Sequence, residues 1–507
     1  MERRMSNPAE LRKDLNEYLA KQYVEGQRLP NADKYKEDSG EKTTSNRPEG
    51  VDFDLKPEEL ERFLNRYVIK QEGAVEVLAT KICTHFNRMK LEVSESEEER
   101  IIGNIKSNIL MIGPTGVGKT YIIKLIAKRI GVPFVKGDAT KFSETGYVGG
   151  DVEDMVRDLV READGDIGLA EYGIIYLDEV DKIAGSRNAL GIDVSRTGVQ
   201  RNLLKLMEEA EVDLKVPHDL ASQMEAAMEA QRTGKVNRKK INTKNILFVM
   251  SGAFTGLEEI IDKRMHEQSV GFQGNPKRVT TNKNDWLGRV RTEDLIKYGF
   301  ESEFVGRLPV VTVLNDLDAD GLYQILKIPT SSVILGKKKD FKAYSIDLEF
   351  EDETLRLIAD MAYEERTGAR GLVGVSERIL IKFEKKLPSS EIKSFVVTPE
   401  VVKNPIVVID RMLVEDACSR FRKMFLDKHG IRIELEPSAI EFIKQKAKDG
   451  RSDFFSTCLV LFRDYEYGLK LAGKKEFLIT GKTAMKPKKY LDELIKKSYQ
   501  SPGKVPE

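Results

Sequence analysis

The segment GPTGVGKT, residues 113–120, constrains the fold of this chain more than any other feature. It fits the pattern G-x-x-x-x-G-K-[ST], for which chance predicts only about 0.03 matches in a chain of this composition. It follows a short apolar run and opens an amphipathic stretch, where glycines let backbone N–H groups face phosphate oxygens and a helix start adds favourable partial charge. We predict that Lys119 reaches the β- and γ-phosphates of a nucleotide and that Thr120 ligates Mg²⁺. The residues expected to hold the nucleotide here are Gly113, Pro114, Thr115, Gly116, Val117, Gly118, Lys119 and Thr120.

Two carboxylates stand at the end of a second apolar run, GIIYLDEVDKI (173–183). Fifty-eight residues separate Lys119 from Asp178. A phosphate-loop protein places its metal-binding and water-activating groups at the end of such a strand. We expect Asp178 to coordinate Mg²⁺ through water. Glu179, on the other side of the pleat, is expected to polarise the water that attacks the γ-phosphate.

Strand and helix patterns alternate around these two motifs, which predicts a parallel sheet with helices on both faces. The predicted elements are strand 105–113, helix Lys119–Ile130, strand 132–137, helix Asp151–Arg161, strand 173–178 and strand 244–252. The expected fold class is therefore α/β.

The last part of the chain contains an internal repeat. SIDLEFEDETLRLIADMA (345–362) matches GIRIELEPSAIEFIKQKA (430–447) at an offset of 85 residues, and SFVVT (394–398) matches EFLIT (476–480) further on. Each copy has an alternating strand, an acidic turn and an amphipathic helix. A duplicated α+β subdomain is favoured, and chance resemblance between two common units is the alternative.

These motifs together resemble the AAA+ ATPases, and within them the ClpX family of ring-forming unfoldases, over about Leu60–Leu372. The resemblance implies ATP and Mg²⁺ as cofactors, a homo-hexamer and protein substrates. RYVIKQEGAVEVLA (66–79) is similar to the family's adenine-contacting segment, with Val68 and Ile69 as base contacts. Lys70 stands where the family usually has glycine.

Three further polar residues are assigned through this resemblance. Arg307 in EFVGRLPVV resembles the arginine finger that reaches the γ-phosphate of a neighbouring subunit. Arg370 in RTGARGL matches the sensor-2 arginine of the small domain, and Ser251 ends a strand where the superfamily places a sensor-1 group. At the repeat's offset Arg370 falls opposite Phe455, so the second copy lacks this arginine.

Two loops carry the expected contacts with other proteins. Tyr147, Val148 and Gly149 in ETGYVGGDVE match the first pore loop, where an aromatic and a branched side chain grip an unfolded chain. Val270, Gly271 and Phe272 stand where the family has a tripeptide that docks on a ClpP-like peptidase. These three residues are equally compatible with docking on a peptidase and with a small buried hydrophobic contact inside the loop.

Other segments depart from the family. The four-cysteine zinc domain that usually begins the chain is replaced by a helix and a polar linker. Ile192–Val199 resembles the second pore loop but carries Ser195, Arg196 and Thr197. Arg238–Lys240 forms a basic cluster, for which attraction of acidic substrates and a solvated loop are equally good explanations.

The composition argues against several classes of protein. The chain of 507 residues has 83 Lys+Arg and 83 Asp+Glu, so bulk positive charge does not hold it on nucleic acid. No run is long and apolar enough for a membrane span, and the first residues lack the apolar core of a secretory signal. Cys83, Cys418 and Cys458 are far apart, which argues against disulfides or a zinc site and favours a cytoplasmic location.

We predict a P-loop AAA+ parallel-sheet domain, then a small α+β lid domain and a second, degenerate lid-like α+β domain. The expected boundaries are 1–55 for the N-terminal helix and linker, 56–315 for the large ATPase domain, 316–410 for the lid and 411–507 for the lid-like extension. The predicted function is ATP-driven unfolding and threading of proteins, with or without a ClpP-like peptidase. An ATPase that remodels a specific complex without threading is the alternative, and a nucleic-acid motor is a more remote one.

Overall fold

A computed structural model of the chain describes residues 54–94, 106–143, 150–185, 194–214, 239–269 and 286–500. All of these residues belong to one compact unit, Arg47–Glu507. None of the helices in these ranges is long and apolar enough to cross a bilayer.

A parallel sheet forms the centre of the first domain. In chain order its strands are β1 Ile109–Ile112, β2 Phe134–Asp138, β3 Ile174–Asp178, β4 Glu211–Asp213, β5 Lys240–Asn242, β6 Leu247–Gly252 and β7 Val310–Val313. β4 and β5 form a separate antiparallel hairpin, and the other five are parallel in the order β2-β3-β6-β1-β7. The carboxyl ends of β1, β3 and β6 therefore meet at one edge of the sheet.

Helices cover both faces of this sheet. They are α1 Pro57–Leu64, α2 Glu72–Ser94, α3 Lys119–Ile130, α4 Asp154–Glu162, α5 Ile167–Ala170, α6 Val194–Glu208, α7 Leu257–Ser269, α8 Thr292–Tyr298 and α9 Ser302–Gly306. In β1, Ile109 and Met111 belong to one hydrophobic cluster, while Leu110 and Ile112 belong to another. This alternation confirms the predicted α/β class, because successive strand residues must be apolar when both faces are covered.

One predicted helix starts later than expected. The helix expected over Asp151–Arg161 is α4, which begins at Asp154. The Asp151 side chain accepts a hydrogen bond from the backbone of Glu153, and Asp154 accepts one from the backbone of Asp151. Aspartates that bond to nearby backbone favour turns and helix starts over helix interiors.

A small α+β domain follows the sheet. Its elements are α10 Ala319–Lys327, α11 Ser332–Lys342, β8 Asp347–Phe350, α12 Asp352–Glu364, α13 Ala369–Lys386, β9 Ser394–Val397 and α14 Pro399–Lys403. β8 and β9 are parallel. The buried residues of this domain share one hydrophobic cluster with α1, α2, α3 and one face of the sheet. The two domains therefore have a continuous core.

The C-terminal elements repeat those of the small domain. They are α15 Pro405–His429, β10 Arg432–Leu435, α16 Pro437–Asp449, α17 Phe454–Leu461, α18 Tyr465–Leu471, β11 Glu476–Ile479, α19 Gly481–Met485 and α20 Pro487–Gln500. β10 and α16 lie 85 residues after β8 and α12, whereas β11, α19 and the start of α20 lie 82 residues after β9, α14 and the start of α15. β10 and β11 are parallel, as β8 and β9 are.

Backbone angles repeat as well. Glu351 and Glu436, which precede α12 and α16, share a φ of −71° with ψ of 147° and 148°. Asn404 and Lys486, which precede α15 and α20, have φ of −136° and −134° with ψ of 58° and 63°. The two modules differ where α13 is one helix of 18 residues and its counterpart is divided into α17 and α18.

Helix α15 belongs to both modules. Val408 and Ile409 in its first half join the cluster of the small domain, and Cys418 and Phe421 in its second half join a separate C-terminal cluster. Gly430, with a φ of 67°, ends the helix. Helix α15 therefore joins the cores of two neighbouring modules.

Candidate nucleotide-binding site

A cavity of about 530 Å³ lies at the carboxyl edge of the sheet, between the segment 113–120 and the small domain. Its wall combines residues from before the sheet, from the P-loop, from the ends of β3 and β6, and from the small domain. Among the lining residues are Tyr67, Val68, Ile69, Thr115, Gly116, Val117, Gly118, Lys119, Thr120, Asp178, Glu179, Asp181, Ile325, Ile328, Val333, Arg370 and Val373. The structure thus brings residues separated by about three hundred positions in the chain to one site.

The P-loop has a left-handed backbone at two glycines. Gly116 and Gly118 have φ of 78° and 99°, and α3 begins directly after them at Lys119. The Lys119 ammonium donates to the carbonyl oxygens of Gly113 and Pro114 at 2.6 and 2.7 Å. Burial lowers the pKa of Lys119, and the carboxylates of Asp178 and Asp181 partly offset that effect. A lysine held in this way lies within the loop that would surround phosphates.

A chain of hydrogen bonds crosses the floor of the cavity. The Thr120 hydroxyl lies 3.2 Å from the Tyr176 hydroxyl, which lies 2.6 Å from the buried Ser251 hydroxyl. Ser251 in turn donates to Asp178 Oδ1 at 2.8 Å. Burial opposes ionisation of Asp178, but hydrogen bonds from Ser251 and Lys136 outweigh it, so the pKa of Asp178 is below its ordinary value. Thr120, Ser251 and Asp178 are therefore parts of one polar network with an ionised carboxylate at its end.

Glu179 does not lie on the strand, contrary to the expected pleat position. β3 ends at Asp178, and Glu179 has a left-handed backbone with φ of 57° and ψ of 32°. Its side chain is exposed at the mouth of the cavity. A left-handed conformation costs a non-glycine residue about 1–2 kcal/mol, and such residues cluster at functional sites.

The small domain touches the P-loop directly. The backbone N–H of Ala369, at the start of α13, donates to the carbonyl oxygen of Gly116 at 2.9 Å. A Cβ added at Gly368 would lie 2.9 Å from backbone atoms of Thr115 and Gly116. This contact brings Arg370 to the cavity that holds Lys119.

Family comparisons agree with this geometry. A family model described as AAA domain (Cdc48 subfamily) matches residues 104–311, and one described as the C-terminal, D2-small domain, of ClpB protein matches residues 317–390. Two relatives named ATP-dependent Clp protease ATP-binding subunit ClpX, from Borrelia duttonii (strain Ly) and Borrelia recurrentis (strain A1), are each 38% identical to the chain over 384 residues. That match covers 74% of this chain and 85% of each relative. The chain belongs to the Clp class of AAA+ ATPases. Membership makes it an ATP-binding ATPase, and it supports an ATP-dependent chaperone or unfoldase.

In an AAA+ ATPase of this class, the apolar end of the cavity suits an adenine ring. Val68 and Ile69 lie there with Tyr67, opposite apolar side chains of the small domain. Those side chains are Ile325, Ile328, Val333 and Val373, which the sequence analysis did not identify. Each lies on or beside α10, α11 or α13, and only the way in which the two domains pack shows that they line the same cavity as the P-loop.

Lys70 shows why glycine is common at its position in this family. Its φ of 61° is left-handed, a conformation that glycine adopts without cost. Here the Lys70 ammonium contacts both carboxylate oxygens of Asp318 at 2.6 Å, just before α10. The pair joins the adenine-side segment to the small domain.

The donor set fits a Mg²⁺ ion that arrives with a nucleotide. Within the described ranges, no group of three or more His, Cys, Asp or Glu side chains could hold a metal ion by itself. Mg²⁺ keeps several waters and often binds through one or two protein oxygens plus substrate phosphates. The Thr120 hydroxyl and the Asp178 carboxylate, joined through Tyr176 and Ser251, match that requirement.

Arg307 lies outside the cavity. It follows α9 and is half-exposed, and its guanidinium contacts the Glu208 carboxylate at the end of α6 at 2.6 Å. The structure therefore does not bring Arg307 to the site of its own chain. An arginine that acts on a neighbouring subunit's nucleotide would be placed in this way.

The two loops expected to contact other proteins lie outside the described residues. These are Tyr147, Val148 and Gly149, and Val270, Gly271 and Phe272. The base of the first loop is described: Phe142 and Gly150 form a bridge, and the Gly150 N–H donates to the Lys141 carbonyl at 3.0 Å. Of the basic cluster Arg238–Lys240, Lys240 lies on β5 and contacts Glu211 at 2.7 Å.

Proposed function

We propose that this ATPase forms a homo-hexameric ring that unfolds protein substrates and threads them through its central channel. The observation that carries the proposal is the cavity, which combines the P-loop, Asp178, Glu179 and Arg370 with an apolar adenine end. A site of this composition suits hydrolysis of a nucleoside triphosphate, and its wall includes both domains. Nucleotide state would therefore set the angle between the domains.

Each polar residue has a role in the proposed reaction. Backbone N–H groups of the P-loop and Lys119 bind the phosphates, and Thr120 and Asp178 hold the Mg²⁺ shell. When bound, Mg²⁺ neutralises phosphate charge. Glu179 accepts a proton from the attacking water, and Ser251 keeps Asp178 oriented. Arg370 binds phosphate from the lid side, so that departure of phosphate frees the lid.

The subunit interface completes the site. We propose that Arg307 leaves Glu208 and stabilises charge on the γ-phosphate of the next subunit. The pair with Glu208 offers little resistance, since half-exposed ion pairs are worth about 0–1 kcal/mol. This arrangement couples hydrolysis to the geometry of the ring.

The loop with Tyr147 would act on the substrate, and the loop with Val270 would bind a peptidase. Tyr147 and Val148 grip the substrate chain, and the bridge at Phe142 and Gly150 transmits motion of the sheet to them. Val270–Phe272 would dock a ClpP-like peptidase.

We further propose domain boundaries at 56–315, 316–410 and 411–507, with the last a copy of the lid that lacks the sensor arginine.

The test measures ATP-dependent loss of fluorescence from a stably folded, tagged fluorescent protein. We expect Glu179→Gln to abolish unfolding because hydrolysis stops. Tyr147→Ala should slow unfolding by about tenfold or more while ATP turnover stays within a few-fold. Tyr344→Ala is the matched control, because it removes an exposed tyrosine of the small domain.

Several outcomes would contradict threading. If no tagged substrate loses fluorescence although ATP is hydrolysed normally, a remodelling ATPase without threading is the better explanation. Salt-dependent DNA binding that stimulates hydrolysis would favour a nucleic-acid motor.

A pull-down with the Glu179→Gln variant in the presence of ATP would identify the bound substrates and any bound peptidase in one experiment.

A further inference from the structure

Lys136, which no motif identifies, lies beside the predicted Mg²⁺ site. It is the middle residue of β2, the edge strand, and its register partner on β3 is Tyr176. Paired residues of neighbouring parallel strands face the same side of a sheet, so Lys136 and Tyr176 share the face that carries α3. The Lys136 ammonium is half-exposed and lies 3.0 Å from Asp178 Oδ2.

The two oxygens of Asp178 have different partners. Oδ1 accepts hydrogen bonds from the Ser251 hydroxyl at 2.8 Å and from the Glu179 backbone N–H at 3.1 Å. Oδ2 contacts Lys136. Because Oδ1 is held by two donors of the fold, Oδ2 is the oxygen better placed to accept a hydrogen bond from metal-bound water. A fixed cation already lies at that oxygen.

The P-loop lysine does not have this role. The Lys119 ammonium donates to the carbonyl oxygens of Gly113 and Pro114. Lys136 is therefore a second lysine at the site, on strand β2 rather than at the start of α3, and it contacts the Asp178 carboxylate rather than backbone carbonyl oxygens.

We propose that the Lys136 ammonium competes with Mg²⁺ for Asp178, so that this ATPase needs more Mg²⁺ for tight nucleotide binding than it would with a neutral side chain there. The inference rests on the proposed assignment of Asp178 to the Mg²⁺ shell. Two cations near one carboxylate repel each other, and each weakens the other's interaction with it. Because Lys136 is half-exposed, water screens the repulsion without removing it.

The competition has a measurable thermodynamic consequence. Mg²⁺ and nucleotide bind at one site, so the affinity for nucleotide rises with Mg²⁺ concentration up to a plateau. A neutral side chain at position 136 removes one competitor, and the Mg²⁺ concentration at half-maximal enhancement should then fall. We expect a fall of at least about threefold, the scale of couplings between partly exposed charges.

The experiment titrates Mg²⁺ against binding of a fluorescent ATP analogue to the full-length chain. Every protein carries Glu179→Gln, so that hydrolysis does not disturb the equilibrium. Lys136→Met removes the charge, and Lys136→Arg keeps it. Lys128→Met is the matched control, because it removes one positive charge from an exposed position on α3. Thermal unfolding of each variant shows whether the fold is retained.

The outcomes separate the inference from the assignment on which it rests. Support requires that Lys136→Met lower the Mg²⁺ midpoint while Lys136→Arg and Lys128→Met stay within about twofold of the parent. An unchanged midpoint in Lys136→Met overturns the inference, and so does an equal shift in Lys128→Met, which would reflect overall charge. Asp178→Asn tests the assignment itself: if it leaves the Mg²⁺ dependence unchanged, Asp178 is not part of the shell and the proposed site is wrong.

Discussion

At the scale of single residues, the contact between Gly116 and Gly368 sets how closely the lid approaches the phosphate loop. Gly368 has a φ of 61°, and an added Cβ would lie 2.9 Å from three backbone atoms of Thr115 and Gly116. Backbone atoms cannot rotate away as a side chain can. Any side chain at this position therefore moves the lid away from the P-loop.

We predict that Gly368→Ala weakens ATP binding by about tenfold or more, the equivalent of about 1.4 kcal/mol, because a φ of 61° with a ψ of −147° suits only glycine and because the contact with the P-loop is lost. Equilibrium binding of a fluorescent ATP analogue measures it. Gly374→Ala on the same helix is the control, because its Cβ meets only the Glu365 carboxylate at 4.0 Å. Equal affinities in the two variants would show that the contact is absent from the form that binds ATP.

The sequence predicted those residues of the site that occur in local motifs. Lys119 and Thr120 follow from the spacing within the P-loop, and Asp178 follows from the apolar strand before it. Lys136 was missed because its role depends on which strands are neighbours. β2 and β3 are separated by a helix-containing crossover, and only their register places Lys136 next to Tyr176 and within reach of Asp178.

At the scale of elements, the repeat was visible in sequence because buried positions recur at fixed spacing. Ile346 and Ile431 are both buried and stand 85 residues apart. The division of the second copy's helix into α17 and α18 was not predicted, since an apolar run such as FFSTCLVLF is compatible with one longer helix. The sequence also did not predict that both modules share α15. The apolar residues of this helix do not follow a single pattern, because its first half packs in one core and its second half packs in another.

The repeat suggests a stabilising substitution. Ser345 before β8 and Gly430 before β10 are equivalent, and their φ values of 60° and 67° are both left-handed. We predict that Ser345→Gly raises the unfolding midpoint, with a gain of about 1 kcal/mol from relief of the left-handed serine. The reciprocal Gly430→Ser should lower it by a similar amount, because no atom lies within 4 Å of an added Cβ and only the backbone cost remains.

Urea unfolding followed by circular dichroism compares the two substitutions with the parent chain. Gly336→Ser, inside α11 where an added Cβ also meets nothing within 4 Å, is the control for side-chain effects without a left-handed backbone. A loss of stability in Ser345→Gly would mean that the greater freedom of glycine in the unfolded chain outweighs the relief.

At the scale of the whole molecule, the pattern of cores indicates which parts are packed together. The sheet and the small domain share one hydrophobic cluster, whereas the C-terminal module has its own and is joined through α15. A ring built from such subunits would transmit nucleotide state through the shared cluster. The C-terminal module would follow the lid as α15 moves.

Arg307 provides a test of the proposed ring, because it lies outside the cavity of its own chain. We predict that Arg307→Ala leaves nucleotide affinity unchanged and lowers ATP turnover by on the order of a hundredfold or more, as removal of a trans arginine does. Mixing this variant with Glu179→Gln should restore turnover. Each Arg307→Ala subunit keeps Glu179 and can receive an arginine from its neighbour. With random assembly of equal amounts, about a quarter of the sites would then have both groups.

The control replaces Glu179→Gln in the mixture by a chain with both substitutions, which can supply no arginine and should restore nothing. Affinity capture of differently tagged chains establishes that the two variants share rings. If mixed rings form and turnover stays at the level of Arg307→Ala alone, the arginine acts within its own subunit. Arg307 would then have to leave Glu208 for the cavity of its own chain, a movement that requires α9 to shift relative to α6 rather than one subunit relative to the next.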